Sequence, residues 1–434
     1  MMLRPVASTR LCFGIFFKWF RRFRERVWAG IMFRFLVAVL CFVFVAPSGF
    51  AEDWPHWRGV NRDGQATNFD TPDAWPSELT HVWSVAGGKG DSSPVLVDGK
   101  LYVFIRVGDQ EILRCLDASD GTQLWEDSYD SITIKGAASS HSGPRSTPAV
   151  SDGKVVVIGI ASIVSCYDAA NGKLLWRKEP LPGQHPSYFN SASPLIVDGV
   201  CIAQLGGKES GAMIAFDLED GAEKWRWEGD PPAYASPGLM TVDGETHIVA
   251  LTGNNLVGVS VADGTLLWET PFPVARMSTN SATPLVAGDQ VFISSTKGGT
   301  KAVRIVKDGG QFLANEVWSN AEIGTKFNSP ILKDGLLVGL SDRKTLFALD
   351  AATGTLAWTD DERFDSFGNI VWAGSILFVL PGKGDLGIGR LSASGFEGIL
   401  RQSVAKSATY GGPVVVGNRI FVQSQDSISA WSIH

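Results

Sequence analysis

The chain has 434 residues but only five cysteines and six histidines. No two cysteines are adjacent, and none form Cys-x-x-Cys. A dithiol redox motif and a sulfur-ligated zinc knuckle are therefore excluded. The histidines, at 56, 81, 141, 185, 247 and 434, lack metal-ligand spacing. A Gly-Lys-Ser/Thr phosphate loop and a Gly-x-Ser-x-Gly nucleophile turn are also missing. No catalytic residue and no metal ligand can be assigned. Excess positive charge is missing too. Residues 1–51 hold eight of the 38 basic residues and one of the 45 acidic ones. The rest of the chain has 30 basic against 44 acidic residues, a net charge of −14. Such a surface repels a polyphosphate, which argues against nucleic acid as a partner.

The N-terminus carries the one long apolar run, "IMFRFLVAVLCFVFVA" (Ile31 to Ala46), after the basic stretch "KWFRRFRERVW". Small residues at Gly49 and Ala51 follow. This layout predicts a signal peptide over residues 1–51, cleaved after Ala51, with translation starting at Met32. The chain is then exported, periplasmic or envelope-associated. Left uncleaved, the segment would be its membrane contact. Three cysteines remain, Cys115, Cys166 and Cys201, and an odd number leaves at least one outside any internal disulfide.

What the chain has in abundance is glycine, 48 residues, and tryptophan, 15 residues. They recur in one phrase: Asp, three residues, Gly, three residues, Trp. Copies are "DASDGTQLW" ending at Trp125, "DAANGKLLW" at Trp176, "DLEDGAEKW" at Trp225 and "DAATGTLAW" at Trp358. "SVADGTLLW" ends at Trp268 with Ser260 in the Asp position, and a longer variant ends at Trp318. Cys115 and Cys166 fill a position where other copies have Ala215 and Ala348, so they read as small residues in a tightly packed strand.

A second phrase precedes each copy: Ser/Thr-Pro, an apolar run, a glycine turn and another apolar run. Its prolines are 94, 148, 194, 237, 284 and 330; Asn369 and Pro413 continue the series. That makes eight copies, about 40 to 54 residues apart, each reading as four strands. One such sheet cannot bury both its faces, whereas a ring of them can. The predicted fold is all-β: an eight-bladed β-propeller of four-stranded antiparallel blades. The eighth copy ends after its third strand. "LTHVWSVAG", with Trp83, supplies a spare strand ahead of the first copy, so the N-terminal strand is expected to complete the last blade. The propeller then spans 79–434, and a monomer is expected.

The Asp-x3-Gly-x3-Trp phrase resembles the repeat of pyrroloquinoline quinone (PQQ)-type propellers. Quinoprotein alcohol dehydrogenases and the outer-membrane assembly factor BamB belong to that group. With "GPRSTP" (Gly143 to Pro148), it looks most like the PQQ-like repeat proteins of planctomycetes. The resemblance implies a binding or assembly scaffold in the cell envelope, without a cofactor, whose partner is an envelope protein or polysaccharide. Two alternatives stand beside it: a PQQ- and calcium-dependent dehydrogenase oxidising an alcohol or sugar, and a polysaccharide-binding module. Quinoprotein members often place adjacent cysteines over the quinone, and this chain has no such pair.

Residues just before each Ser/Thr-Pro phrase would gather at one mouth of the ring. They are Asp91, His141, Arg145, Tyr188, Asn190, Tyr234, Asn280, Lys326, Asn328, Asn369 and Tyr410, with Ser92 and Ser236 beside them. They form a candidate ligand or partner site; the alternative is that they satisfy loop backbone or hold water. The stretch "DWPHWRGVNRDG" (Asp53 to Gly64) opens a tryptophan-rich segment, 52–78. Trp54, Trp57 and Trp75 are costly to leave in water, so this segment is expected to pack on the propeller beside its seam.

Overall fold

The computed structural model describes residues 53–69, 71–273, 278–365, 367–392 and 394–433. The expected leader lies outside them. Among the described residues there are strands and one short 3-10 helix, Gly136–His141, and no helix is long and apolar enough to cross a membrane. Eight sheets follow one another around a ring. The first strand that each repeat contributes is Val95–Val97, Ala149–Ser151, Leu195–Val197, Gly238–Val242, Leu285–Ala287, Ile331–Lys333, Gly368–Ala373 and Val414–Val416 in turn. These define blades 1 to 8.

Each blade begins with a tight hairpin set by local chemistry. Asp98–Gly99, Asp152–Gly153, Asp198–Gly199, Asp243–Gly244 and Asp334–Gly335 all have positive φ at both residues. That is the turn whose twist matches the flanking strands. The Asp of the Asp-x3-Gly-x3-Trp phrase fixes the turn before the outer strand. Asp117, for example, accepts the Ser119 N–H at 2.8 Å, and Gly121 N–H returns to the Asp117 carbonyl at 2.8 Å.

The same phrase joins neighbouring blades. The indole Nε1 of each Trp donates to the carbonyl just after the next blade's Asp or Ser. The pairs are Trp83 to Ala118 (3.0 Å), Trp125 to Ala169 (3.2 Å), Trp176 to Leu218 (3.1 Å), Trp225 to Val261 (2.9 Å) and Trp318 to Ala351 (2.9 Å). The two exceptions face blades whose turn departs from the phrase. Trp268 turns to His247 Nδ1 of its own blade (3.0 Å), and Trp358 Nε1 has no partner among the described residues.

The Ser/Thr-Pro phrase makes an inner belt. In four copies the backbone N–H reaches the hydroxyl of the next copy: Ser93 to Thr147 (3.0 Å), Thr147 to Ser193 (3.0 Å), Ser193 to Ser236 (2.9 Å) and Thr283 to Ser329 (2.8 Å). Gly412 N–H reaches Ser93 Oγ at 2.7 Å, which links blade 8 to blade 1. The seam closes where Thr80–Ala86 pairs antiparallel with Ser427–Ser432, so that Trp83 stands opposite Ala430. The ring is thus completed by the N-terminal strand.

Sequence order places the tryptophan-rich segment beside the seam; the structure threads its first half into the ring axis. Trp54 pairs with Leu96 through both backbone groups, and the Pro55 carbonyl accepts Val150 N–H. Trp57 Nε1 donates to Thr283 Oγ1 at 2.8 Å. Gln65–Ala66 adds a parallel fifth strand inside blade 7. The Asn68 carbonyl accepts Gly417 N–H. Both ends of the loop lie beside first-to-second-strand turns, Asp53 at Asp98 and Asn68 at Gly417. The chain therefore enters and leaves the channel at that face and forms a plug. Adjacency to the closing strand locates residue 79; it does not say where the preceding residues run.

Two arginines anchor the plug. Arg58 donates to the carbonyls of Arg62, Asp63, Ser329 and Pro330, and Arg62 donates to the Pro194 carbonyl at 2.8 Å. Both are buried. Burial pushes the guanidinium of Arg58 down to about 10 and that of Arg62 to about 9.

A candidate binding face at the ring mouth

With one face plugged, the opposite face is left to the loops that precede the inner strands. The eleven residues expected there divide into two groups. Four asparagines turn inward and hold backbone groups of the loops and strands around them. Asn190 Nδ2 donates to the Ala192 carbonyl, Asn280 Nδ2 to Phe272 and Asn369 Nδ2 to Tyr410. Asn328 spans Leu340, donating to its carbonyl and accepting its N–H. All four are buried. They are backbone clamps, each satisfying groups that burial would otherwise leave unpaired.

The rest form two chains of contacts at the mouth. Asp91 is at the centre of the larger. His141 Nδ1 lies 2.7 Å from Asp91 Oδ2, Gln425 Nε2 donates to Oδ1 at 3.0 Å, and Arg145 Nε stands 3.8 Å away. Arg145 also donates to the His141 carbonyl at 2.8 Å. Burial lowers the Arg145 pKa, while the Asp91 carboxylate and Tyr234 work in the opposite direction. On one side the His141 ring meets Tyr410, centroids 4.7 Å apart, and Phe367 at 5.8 Å. Phe367 stacks on Phe327, 4.7 Å between centroids with planes 3° apart, and Lys326 Nζ lies 5.3 Å from the Phe327 ring. On the other side Tyr234 contacts Tyr188, whose N–H donates to the Tyr234 hydroxyl at 3.1 Å. Burial raises the Tyr234 and Tyr410 hydroxyls.

Three members of this chain, Phe327, Phe367 and Gln425, were not singled out from the sequence. Phe327 had a legible signal. It stands in "KFNS" just as Phe189 stands in "YFNS", each directly before a clamp asparagine. Both phenylalanines have positive φ, +65° and +58° in chain order, a conformation that bulky residues rarely adopt. Phe189 is buried, whereas Phe327 is 39% exposed.

A calcium ion beside a quinone does not suit this donor set. Both Asp91 oxygens are engaged by protein donors. Among the described residues no three His, Cys, Asp or Glu side chains converge at one point.

The family model described as "Outer membrane protein assembly factor BamB" matches residues 108–360, over half of the chain. The chain belongs to this family. As a BamB-family propeller it is 27% identical to the outer membrane protein assembly factor BamB of Burkholderia pseudomallei, over 80% of this chain and 86% of that one. It is 29% identical to a quinohemoprotein alcohol dehydrogenase of Comamonas testosteroni, over 41% of this chain and 26% of that protein. Among solved structures, BamB from Moraxella catarrhalis superposes with a TM-score of 0.59 at 18% identity, covering 82% of this chain and 98% of that one. The Comamonas testosteroni enzyme gives 0.63 at 15% identity, covering 89% and 81%. At those identities the structural likeness establishes the propeller fold and nothing more.

Proposed function

We propose that this BamB-family propeller is an exported binding or assembly scaffold of the cell envelope, and that it engages its partner at the mouth. The observation that carries this reading is the asymmetry of the ring. One face of the channel is filled by the chain's own Asp53–Asn68 loop. The other presents aromatic and polar side chains from several blades. Convergent polar and aromatic groups on one face are a usual place for recognition. The family's description, an outer membrane assembly factor, agrees with an envelope role.

The test is site-specific photo-crosslinking in intact cells. A crosslinking residue at Tyr188 or Phe327 is expected to trap an envelope component, and one at the Asp334 turn on the plugged face to trap none. Equal yields from both faces would overturn the reading.

A dehydrogenase reading draws on the repeats shared with the quinohemoprotein enzyme, a match that covers 26% of that protein. It is tested by adding PQQ and calcium to the purified protein. The scaffold reading expects no quinone absorbance and no dye reduction with alcohols or sugars.

A further inference from the structure

Phe327 is the least economical residue of the mouth. Its backbone sits at φ +58°, a strained position for a bulky side chain, yet 39% of the residue is exposed. The matching loop of blade 3 has the same conformation at Phe189, and there the side chain is buried against His185, centroids 4.2 Å apart. A ring at positive φ can therefore be buried at this face, there two residues farther from the Ser-Pro phrase. In blade 6 the ring is displayed instead, stacked with its plane 3° from that of Phe367. Strain retained where it yields little burial points to function.

The polar groups narrow the ligand class. Tyr188 is 48% exposed, and the mouth also carries Asp91, His141 and Arg145, which pair with one another and so leave no large excess of charge. A polyanion is disfavoured by the net charge of −14 beyond residue 51. An extended peptide would ordinarily add to a strand edge. The inner edges here line the channel, where the plug already pairs with Leu96 and Trp372. What suits flat exposed rings interleaved with short polar groups is a chain of pyranose sugars, whose C–H faces stack on aromatics while their hydroxyls hydrogen-bond between them.

We propose that the mouth binds a β-linked, gluco-configured glycan chain across the strip from Tyr188 to Phe327. Equatorial substituents leave both faces of such sugars flat, as stacking requires. The inference rests on the mouth being the binding face and names the ligand class that face takes.

The experiment is calorimetric titration of the exported chain with cellohexaose and chitohexaose, with α-linked maltohexaose as the contrast. At least one β-linked hexamer is expected to bind, and to bind more tightly than maltohexaose. Tyr188→Ala is expected to weaken binding about tenfold, the loss of one aromatic contact of about 1.4 kcal/mol. Phe327→Gly is expected to weaken it similarly, the relief of the positive φ offsetting part of the stability lost with the Phe367 stacking. Absence of binding by both β-linked hexamers, or binding unchanged in both variants, overturns the inference. Crosslinking of an envelope protein from Phe327 without any hexamer binding overturns the sugar assignment alone and leaves the mouth as the binding face. Equal crosslinking from both faces removes the mouth itself.

Discussion

Trp83 lies against Gly121, across the seam where the ring closes. A Cβ placed on Gly121 would stand 2.7 Å from Trp83 Cε3 and 2.9 Å from Cδ2, and the indole Nε1 donates to Ala118 in the same turn. Glycine is required twice over, by its φ of +78° and by the ring above it. Gly121→Ala is expected to cost about 2–5 kcal/mol, from left-handed strain plus overpacking. Gly153 is the control. Its φ is +69°, but a Cβ placed there would meet nothing within 4 Å, so Gly153→Ala is expected to cost only the strain, about 1–2 kcal/mol. Unfolding midpoints of the two variants separate packing from backbone. Limited proteolysis near residue 79 reads whether the seam opens.

Trp358 tests the hydrogen bond without the glycine. It is buried like Trp318, but blade 7 offers no Asp-x3-Gly turn, and its Nε1 has no acceptor. Trp318 donates to Ala351. Trp→Phe removes similar apolar area at both sites. At Trp318 it also strands a buried carbonyl, and at Trp358 it removes an unsatisfied donor. Trp318→Phe is expected to be more destabilising than Trp358→Phe by about 1–3 kcal/mol, measured by chemical denaturation.

Those two positions mark what the sequence discloses. The eight blades and the spare Trp83 strand are legible because each copy repeats the same local chemistry at a regular interval. The plug does not repeat. Its partners, from Leu96 to Gly417, are scattered over the ring, and no spacing rule connects Arg58 to the carbonyls of Ser329 and Pro330. The fifth strand of blade 7 is hidden for the same reason. At the mouth, loop position locates the right segments but not the direction of each side chain. Asn328 and Phe327 are neighbours; one is buried as a clamp and the other displayed, and the letters do not show which way either side chain turns.

The plug makes its own prediction. Arg58 is 7% exposed and has four carbonyl acceptors in a forked arrangement. A lysine carries the same charge but presents a single nitrogen, and cannot reach this set. Arg58→Lys is therefore expected to destabilise the propeller by about 2–4 kcal/mol, leaving buried carbonyls unpaired around a desolvated charge. The lowered unfolding midpoint should come with faster cleavage between residues 53 and 69, the mark of a plug that has left the channel.

The three described cysteines are free and buried. Burial pushes the Cys115 and Cys166 thiols up to about 12 and raises Cys201 as well. At pH 8 the thiolate fraction of the first two is about one part in ten thousand, and only the thiolate reacts. Native protein is expected to leave all three unlabelled by a maleimide at pH 8, and to label all three in denaturant. Intact-mass spectrometry counts the adducts. Cys166→Ala, which restores the residue found at Ala215 and Ala348, should leave the unfolding midpoint nearly unchanged.

Glu111 gives the stability of the ring a pH dependence. Its carboxylate is 1% exposed at the top of the interface between blades 1 and 2, accepting the Tyr129 hydroxyl at 2.5 Å and the Ile160 N–H at 3.1 Å. Burial raises its pKa; the Tyr129 and Ile160 hydrogen bonds and the nearby Arg106 oppose that rise without cancelling it. A carboxyl whose folded pKa lies above its unfolded one favours folding most when protonated. Its contribution is complete below the unfolded pKa of about 4.3 and is lost as pH rises through the folded value. Glu111→Gln removes that loss and keeps the geometry, since the amide oxygen can still accept Ile160 N–H and the amide nitrogen can donate to Tyr129. The difference in unfolding midpoint between Glu111→Gln and the parent should therefore move in favour of the variant from about pH 4 to pH 8. Glu111→Ala, which strands both donors, is expected to be destabilised throughout that range. A flat Glu111→Gln difference would mean that this carboxyl titrates alike in the folded and unfolded chain.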